Sequence, residues 1–419
     1  MRRTGAGGTK RRTARTGALA LGLVLAAGTA APVVAAPEPA PRAGSAWHTW
    51  RAAGPERNEE LRGVTALSPR DAWAVGYREN EKGVDVPVAE HFDGTAWRAT
   101  KAPGHAGAGQ LEDVLARGRD DVWAVGSWND APAYQDRALA QHWDGERWRG
   151  VPLPAGPARL SVYPAALAPG TGDEVWTVGV TAEDRVGAPH AFSYRWDGRR
   201  WAPVPQPDPE SHALLSGLAA DRTGGLWAVG VVYGENGAGR PLTRYWNGAA
   251  WHTVPAPHTA GWGEELSDVT VLAPADVWAV GSGSPPEDDR SAPFALHWNG
   301  IEWKREDVPG VDGRLEAVAP DGAGGVWVIG ARRNVTTPAF SLHRDARGTW
   351  STHPSAGGEA GEGGSFFDLA RVPGASGTAP SLWAVGSTLP RLETPWHPIL
   401  QGYGPRGPAG RAGSPHPAA

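Results

Sequence analysis

One short string, Trp-Ala-Val-Gly or a close variant of it, recurs seven times and limits what this chain can fold into. The tryptophans that open the copies are separated by 49 to 56 residues: Trp73, Trp123, Trp176, Trp227, Trp278, Trp327 and Trp383. A second tryptophan follows each of the first six by 23 to 25 residues. A period of this length, repeated along nearly the whole chain, indicates structural units that each pack on the next.

Each unit predicts four short antiparallel strands, here called A to D. Strand A is a stretch in which apolar and polar residues alternate, as over Leu111–Leu115. Strand B is the Trp-Ala-Val-Gly segment and ends at its glycine. Strand C ends at residues such as Trp143, and strand D begins near Trp148. Asp-Gly or Asn-Gly joins C to D in units 1 to 5, which favours a type I′ turn. With no helical periodicity, the pattern predicts an all-β, seven-bladed β-propeller with four antiparallel strands per blade over residues 45–404.

The two ends of this region predict how the ring closes. Unit 7 has a strand B at Trp383 and a strand C ending near Tyr403, but no strand D follows. The segment Ser45–Thr49 resembles the fourth strand that begins at Trp251. We therefore expect the N-terminal strand to complete the last blade, which removes two exposed sheet edges.

The repeat resembles those of kelch and galactose-oxidase-like propellers. It shares an apolar strand with a terminal Gly, an aromatic-Asp turn, and a Trp followed by an apolar-Pro step, as from Trp201 to Pro205. It departs from kelch units in having one glycine, such as Gly126, where they have a pair. The resemblance implies the fold. The copper-radical oxidases of that fold use a Tyr-Cys cross-link. This activity is excluded because the chain has no cysteine.

Residues 1–36 have the features of a signal peptide. Six basic residues and no acidic residue lie in the first 16, and an apolar run from Ala18 to Ala36 follows. Arg11-Arg12 is compatible with a twin-arginine export signal, so this route stays open as an alternative to general secretion. We expect a secreted, extracellular protein with a linker over residues 37–44 and a disordered Gly/Pro-rich tail over residues 405–419.

Composition excludes several classes of partner and site. The absence of cysteine rules out disulfides and thiolate metal sites. The formal net charge of −5 becomes −11 once the six basic residues of the leader are removed, which disfavours nucleic acid and anionic membranes as partners. No later apolar segment is long enough to span a membrane. We expect a monomer with no cofactor, no metal and no recognisable catalytic motif.

Residues that break the repeat are the candidates for function, because a residue present at one offset in most blades serves the blade itself. By this logic the histidines His91, His142, His297 and His343, which share an offset, are structural. Four tryptophans fall outside the repeat, including Trp50. The other three fall on the face that carries the B-to-C loops and the D-to-A connections. Together with two tyrosines they form the predicted ligand-binding set: Trp128, Trp262, Trp396, Tyr134 and Tyr233.

Two functions remain open at this stage. The first is a non-catalytic binding propeller that recognises a carbohydrate or an extracellular protein through its loop-rich face. The second is an extracellular hydrolase or lyase that acts on polysaccharide through loop carboxylates. Because no spacing fixes a carboxylate pair, the binding propeller is the preferred interpretation.

Overall fold

The structure is a computed structural model. It describes residues 45–54, 58–102, 107–129, 135–154, 160–183, 188–207, 212–235, 237–286, 291–332, 339–355, 363–377, 379–388 and 396–405. The predicted leader, the predicted linker and residues 406–419 of the predicted tail lie outside these residues, so their assignments stay predictions.

The described residues form 28 strands and no helix. Blades 1 and 2 contain β2 (Glu59–Ser68), β3 (Asp71–Glu79), β4 (Asp85–Phe92), β5 (Trp97–Thr100), β6 (Gly109–Gly118), β7 (Asp121–Asn129), β8 (Asp136–Trp143) and β9 (Trp148–Gly150). Blades 3 and 4 contain β10 (Leu160–Pro169), β11 (Val175–Glu183), β12 (His190–Trp196), β13 (Trp201–Pro203), β14 (Ala213–Ala220), β15 (Leu226–Tyr233), β16 (Gly239–Trp246) and β17 (Trp251–Thr253). Blades 5 and 6 contain β18 (Gly263–Ala273), β19 (Asp276–Ser284), β20 (Ala292–Trp298), β21 (Trp303–Glu306), β22 (Gly313–Pro320), β23 (Val326–Arg332), β24 (Phe340–Arg344) and β25 (Trp350–Pro354). Blade 7 contains β26 (Gly364–Arg371), β27 (Leu382–Thr388), β28 (Pro398–Pro405) and β1 (Ser45–Thr49).

These strands make seven separate four-stranded antiparallel sheets, which confirms the predicted seven-bladed propeller. The first strand of each blade contacts the first strand of the next, and β26 of blade 7 contacts β2 of blade 1, so the inner strands form a closed ring. In the part of the chain that the structure describes, no helix is long and apolar enough to cross a membrane.

The hydrophobic core lies between the blades. Seven clusters of buried side chains each join two neighbouring sheets, and the tryptophans of strands B and D are central to them. Trp73, for example, packs edge-on against Trp148 of the next blade at 5.5 Å between ring centroids. This packing is the reason for the tryptophan repeat, since each indole covers the face of an adjacent sheet.

A bulge in strand A explains the repeated glycine. In blade 2 the pairing of β6 with β7 shifts between Leu111 and Asp113, directly opposite Gly126. A Cβ at Gly126 would collide with the carbonyl oxygen of Gln110, and the same collision with the equivalent carbonyl recurs in the other six blades. The expectation that this glycine ends strand B is wrong, because β7 continues to Asn129. The glycine is needed where the bulge brings the two backbones together.

The turn between strands C and D also differs from the prediction. In blade 1 a four-residue loop from Asp93 to Ala96 replaces the expected two-residue turn, and Gly94 alone has positive φ. The Asp93 carboxylate accepts hydrogen bonds from the backbone N–H groups of Thr95 and Ala96 at 2.9 and 3.0 Å. The Asp93 carboxylate therefore satisfies backbone N–H groups of the loop, which is a common role of Asp in turns.

The predicted closure of the ring is confirmed. β1 pairs antiparallel with β28, with Trp47 opposite Tyr403. Trp47 is 3% exposed, and its indole N–H donates to Ser341 Oγ in blade 6 at 2.7 Å. The closing strand thus contributes to the interface between blades 6 and 7 as strand D does elsewhere.

Candidate functional site

The four repeated histidines support the blades, as their common offset predicts. His142 stacks on Trp123 at 4.4 Å between ring centroids, and its Nε2 lies 2.9 Å from Asp121 Oδ1. Equivalent stacks and His-Asp contacts are present at His91, His297 and His343. In blade 4 a tyrosine, Tyr245, makes the contact with the Asp. These contacts give the repeated imidazoles a common role in packing the blades.

Trp50 also has a structural role. Blade 7 has Gly402 at the position of these histidines, and Trp50 packs beside it against Trp383 at 5.2 Å between ring centroids. Trp50 contacts Phe92 of blade 1 at 5.3 Å as well. This indole therefore fills a gap at the seam, defined here as the interface between blades 7 and 1 where the chain closes.

The predicted ligand-binding tryptophans are half-buried around the loop-rich face. Trp128 was expected in a loop, but it lies inside β7, where it packs at the interface of blades 1 and 2 beneath the Arg137 guanidinium at 5.5 Å. Trp396 precedes β28, and its carbonyl accepts a hydrogen bond from the Asn58 N–H at 2.8 Å. Trp262 lies in the connection from blade 4 to blade 5. These residues belong to different blades, so they surround the central axis and do not form one cluster.

Of the two predicted tyrosines, Tyr134 lies outside the described residues. Tyr233 lies at the end of β15 and is half-buried. Burial and the nearby charge of Glu265 raise the pKa of its hydroxyl, while Arg314 opposes them. Tyr233 in blade 4 is therefore close to charged groups of the inner strands of blades 5 and 6.

Those charged groups belong to a larger set near the start of the inner strands, on the loop-rich side of the ring. We call this set the axial mouth, and its members are Glu60, Arg62, Glu112, Glu265, Arg314 and Glu316. Their side chains are between 13% and 50% exposed. They are held by the strand A bulges, which direct charged side chains into positions that an unbroken ladder would not offer.

Ion pairs join neighbouring blades within the axial mouth. Arg62 lies 3.0 Å from both Glu60 and Glu112, and its guanidinium lies 4.7 Å above the ring of Phe367 in blade 7. Arg314 contacts Glu265 at 2.6 Å and Glu316 at 3.3 Å.

The two arginine clusters also act on each other across the axis. Burial raises the pKa of Glu316, Glu265 raises it further, and Arg314 and Arg62 lower it. Blade 6 carries Glu316 and blade 1 carries Arg62, with blade 7 between them. The axial mouth is therefore one electrostatic unit, with four carboxylates and two guanidinium groups.

Three aspartates line the inner strands one step deeper than the axial mouth. Asp113, Asp268 and Asp368 occupy equivalent positions after the bulges in blades 2, 5 and 7, and we call them the aspartate ring. Each accepts hydrogen bonds from the next N–H of its own strand at 2.6 to 2.7 Å. Each also accepts one from an N–H of the following blade at 2.6 to 2.9 Å. These carboxylates bridge the inner strands of neighbouring blades.

The pKa values of the aspartate ring are raised. Burial is the largest cause for each, and it raises the pKa of Asp268 to about 7 and that of Asp368 to about 6. The charges of Asp368 and Asp268 add to the effect of burial on the pKa of Asp113. Carboxylates on blades 2, 5 and 7 can influence one another only through the axis, so the aspartate ring is one coupled set below the axial mouth, and its raised pKa values favour the protonated, neutral form.

The sequence contained a signal for the axial mouth that loop-based reasoning missed. The residue before each bulge differs between blades: Glu60, Gln110, Tyr163, Leu214, Glu265, Arg314 and Ser365. Such variation inside a strongly repeated strand marks positions that the fold itself does not dictate. No group of three or more His, Asp or Glu side chains in the described part of the chain is arranged to hold a metal ion.

A scan of protein-family models finds no matching family, and no curated protein matches the chain. Among solved structures, the chain is similar to YCF48 bound to D1 peptide, with 15% identity, a TM-score of 0.50, and coverage of 90% of this chain and 100% of that one. It is also similar to a PL25 ulvan lyase bound to -[GlcA(1-4)Rha3S]-, with 10% identity, a TM-score of 0.55, and coverage of 84% and 96%. A third is a catalytically inactive virginiamycin B lyase from Staphylococcus aureus with quinupristin, with 12% identity, a TM-score of 0.51, and coverage of 84% and 99%. At these identities the likeness concerns the fold alone.

Proposed function

We propose that this protein is a secreted, non-catalytic binding propeller whose loop-rich face recognises an extracellular ligand at the axial mouth. The observation that carries the proposal is the set of six charged side chains on the inner strands of blades 1, 2, 5 and 6. The blade repeat does not require charged groups at these positions, so they are candidates for recognition.

The charge of the axial mouth favours one class of ligand. Four carboxylates face two guanidinium groups, which leaves the axial mouth with a net negative charge. An anionic polysaccharide would be repelled from this axis, whereas a lysine or arginine side chain would be attracted. Of the two ligand classes that the fold permits, a polypeptide with exposed basic residues therefore fits better than an acidic carbohydrate.

Other features support a binding role for the same face. Trp128, Trp262, Trp396 and Tyr233 surround the axial mouth, and half-buried aromatic rings can supply contact area around a charged centre. Peptide binding by YCF48 is compatible with such a use of the fold. We also propose that the repeat is kelch-like. The support for this assignment is the repeat pattern alone.

The experiment that tests the proposal screens the purified protein on a peptide array, a glycan array and a panel of polysaccharides for degradation. We expect binding to peptides rich in lysine or arginine and no release of sugar products. Release of oligosaccharides would overturn the non-catalytic proposal and favour the polysaccharide-acting enzyme. Binding confined to neutral or acidic glycans would overturn the choice of ligand.

A matched pair of variants distinguishes the axial mouth from general surface charge. Glu265→Gln with Glu316→Gln removes two negative charges from the axial mouth. Glu146→Gln with Glu302→Gln removes two from exposed turns on the opposite face. We expect the first pair to weaken peptide binding at least ~10-fold and the second to leave it unchanged.

A further inference from the structure

Two glutamates are buried against each other at the seam. Glu59 at the start of β2 and Glu90 in β4 are 0% and 1% exposed. Neither oxygen of Glu59 accepts a hydrogen bond from a donor group, and Glu90 Oε2 lacks such a donor too. Both carboxyl groups lie against Gly54: Glu90 Oε1 accepts a hydrogen bond from its N–H at 3.1 Å, and the Glu59 carboxyl group would collide with a Cβ there. Two buried carboxylates at such a site repel each other, so a proton on one of them stabilises the pair.

Blade 5 provides an internal comparison. Glu264 occupies the position of Glu59 and is equally buried, but Arg305 contacts it at 2.8 Å and neutralises its charge. In blade 1 the position of Arg305 is held by Ala99, and the position of Leu296 is held by Glu90. Glu59 therefore lies beside a second acid, Glu90, whereas its counterpart Glu264 lies beside the guanidinium group of Arg305.

Other groups around the pair do not replace that partner. The pKa of Glu59 is raised to about 8, chiefly by burial and then by the charge and proximity of Glu90, while Arg78 opposes the rise. The pKa of Glu90 is raised by burial, while the Ala53 N–H, Glu59, the Gly54 N–H and Arg78 lower it. Arg78 is the one cation that acts on either acid in the described part of the chain, and it leaves the pair protonated once at neutral pH.

The pair contacts the segment that leads from the closing strand into blade 1. Glu90 Oε1 accepts hydrogen bonds from the N–H groups of Ala53 and Gly54 at 2.7 and 3.1 Å. The carboxyl group of Glu59 lies directly against Gly54, where a Cβ would collide with it. The same segment contains Trp50, which packs between blades 7 and 1.

We propose that a proton shared between Glu59 and Glu90 latches the segment Trp50–Gly54 across the seam, so that closure of the ring responds to pH. With the proton in place, Glu59 donates to Glu90, and Glu90 holds the two backbone amides. Without it, two buried carboxylates repel each other beneath the segment, and the free energy of unfolding falls. This proposal does not depend on the ligand of the axial mouth.

The sign of the effect follows from the raised pKa of Glu59. The folded protein keeps a proton that the unfolded chain releases, so its contribution to stability is complete below about pH 4.5. That contribution is lost as the pH rises, and the loss levels off above about pH 8.

The test measures the melting temperature and the hydrogen exchange of the Ala53 and Gly54 amides between pH 5 and pH 9. Glu59→Gln keeps a donor for Glu90 but cannot ionise. We expect the stability of this variant relative to the wild type to increase with pH up to about 8 and then to remain constant. In the wild type, the protection of the two amides should fall over the same range by more than intrinsic exchange explains.

Two more variants keep the test decisive. Ala99→Arg transfers the blade 5 arrangement to the seam, and we expect it to remove the pH response while Glu59 stays in place. Glu264→Gln is the matched control, since it alters the counterpart that already has an arginine, and the pH response of the seam amides should persist in it. Equal pH profiles for the wild type, Glu59→Gln and Ala99→Arg would overturn the latch.

Discussion

At Trp383 the blade lacks the ring that strand C supplies to the strand B tryptophans of blades 1, 2, 4, 5 and 6, because Gly402 occupies that position. Trp50 fills the space from a different part of the chain, which is why it stood outside the repeat. The repeat identified Trp50 as unusual, but sequence alone could not distinguish a functional residue from a structural replacement. The distinction required knowledge that Trp50 and Gly402 are neighbours.

Replacement of Trp50 by alanine tests this structural role. We expect Trp50→Ala to lower the free energy of unfolding by about 3 kcal/mol, since it opens a cavity beside Trp383 and Phe92. Chemical denaturation measures the change. Gly402→Ala offers a control at the same site, because a Cβ there would lie 3.0 Å from Trp50 Nε1 and should destabilise the wild type by crowding. A stable Trp50→Ala variant would return Trp50 to the functional candidates.

At the scale of the strand, the sequence predicted four strands per blade and the donated closing strand, because alternation and turn residues are local signals. It did not predict the strand A bulges, which depend on pairing between two strands. The bulge explains why strand B needs a glycine at Gly126 although β7 continues past it. It also places mouth residues such as Arg62 and Glu112 inside strand A.

The bulge can be tested through its glycine. We expect Gly126→Ala to lower the free energy of unfolding by ~2 kcal/mol or more, because the added Cβ meets the carbonyl of Gln110. Gly150→Ala is the matched control in the same blade, since nothing lies within 4 Å of a Cβ there. Equal stabilities of the two variants by denaturation would contradict the proposed role of the bulge.

The closing strand can be tested by deletion. Removal of residues 45–53 should lower the melting temperature sharply, because it exposes the edge of β28 and the space filled by Trp47. Removal of residues 406–419, which follow β28, is the control truncation and should change the melting temperature little. A deletion of 45–53 that melts like the wild type would mean that β1 does not hold the ring closed.

For the whole molecule, the number of blades followed from the tryptophan period, but the charge distribution along the axis did not. The aspartate ring combines residues at least 100 positions apart, and only closure of the ring brings their charges together. Each aspartate looks unremarkable in its own strand. Its raised pKa is a property of the assembled propeller.

The aspartate ring predicts a dependence of stability on pH. The raised pKa of Asp268 means that its protonated form stabilises the fold below about pH 4, and this contribution is lost as the pH rises to about 7. Asp268→Asn cannot ionise, so its melting temperature relative to the wild type should increase between pH 4 and pH 7. A difference that is constant across this range would contradict an enclosed, repelling set of carboxylates.

The most direct test of the account is the affinity of a basic peptide, selected on the array, for the wild type, the axial mouth variant and the tryptophan variant. The account predicts that Glu265→Gln with Glu316→Gln weakens binding at least ~10-fold, while Trp128→Ala with Trp262→Ala and Trp396→Ala weakens it through lost contact area at the rim. Unchanged affinity in the axial mouth variant, measured on protein that melts like the wild type, would contradict the assignment of recognition to the axis.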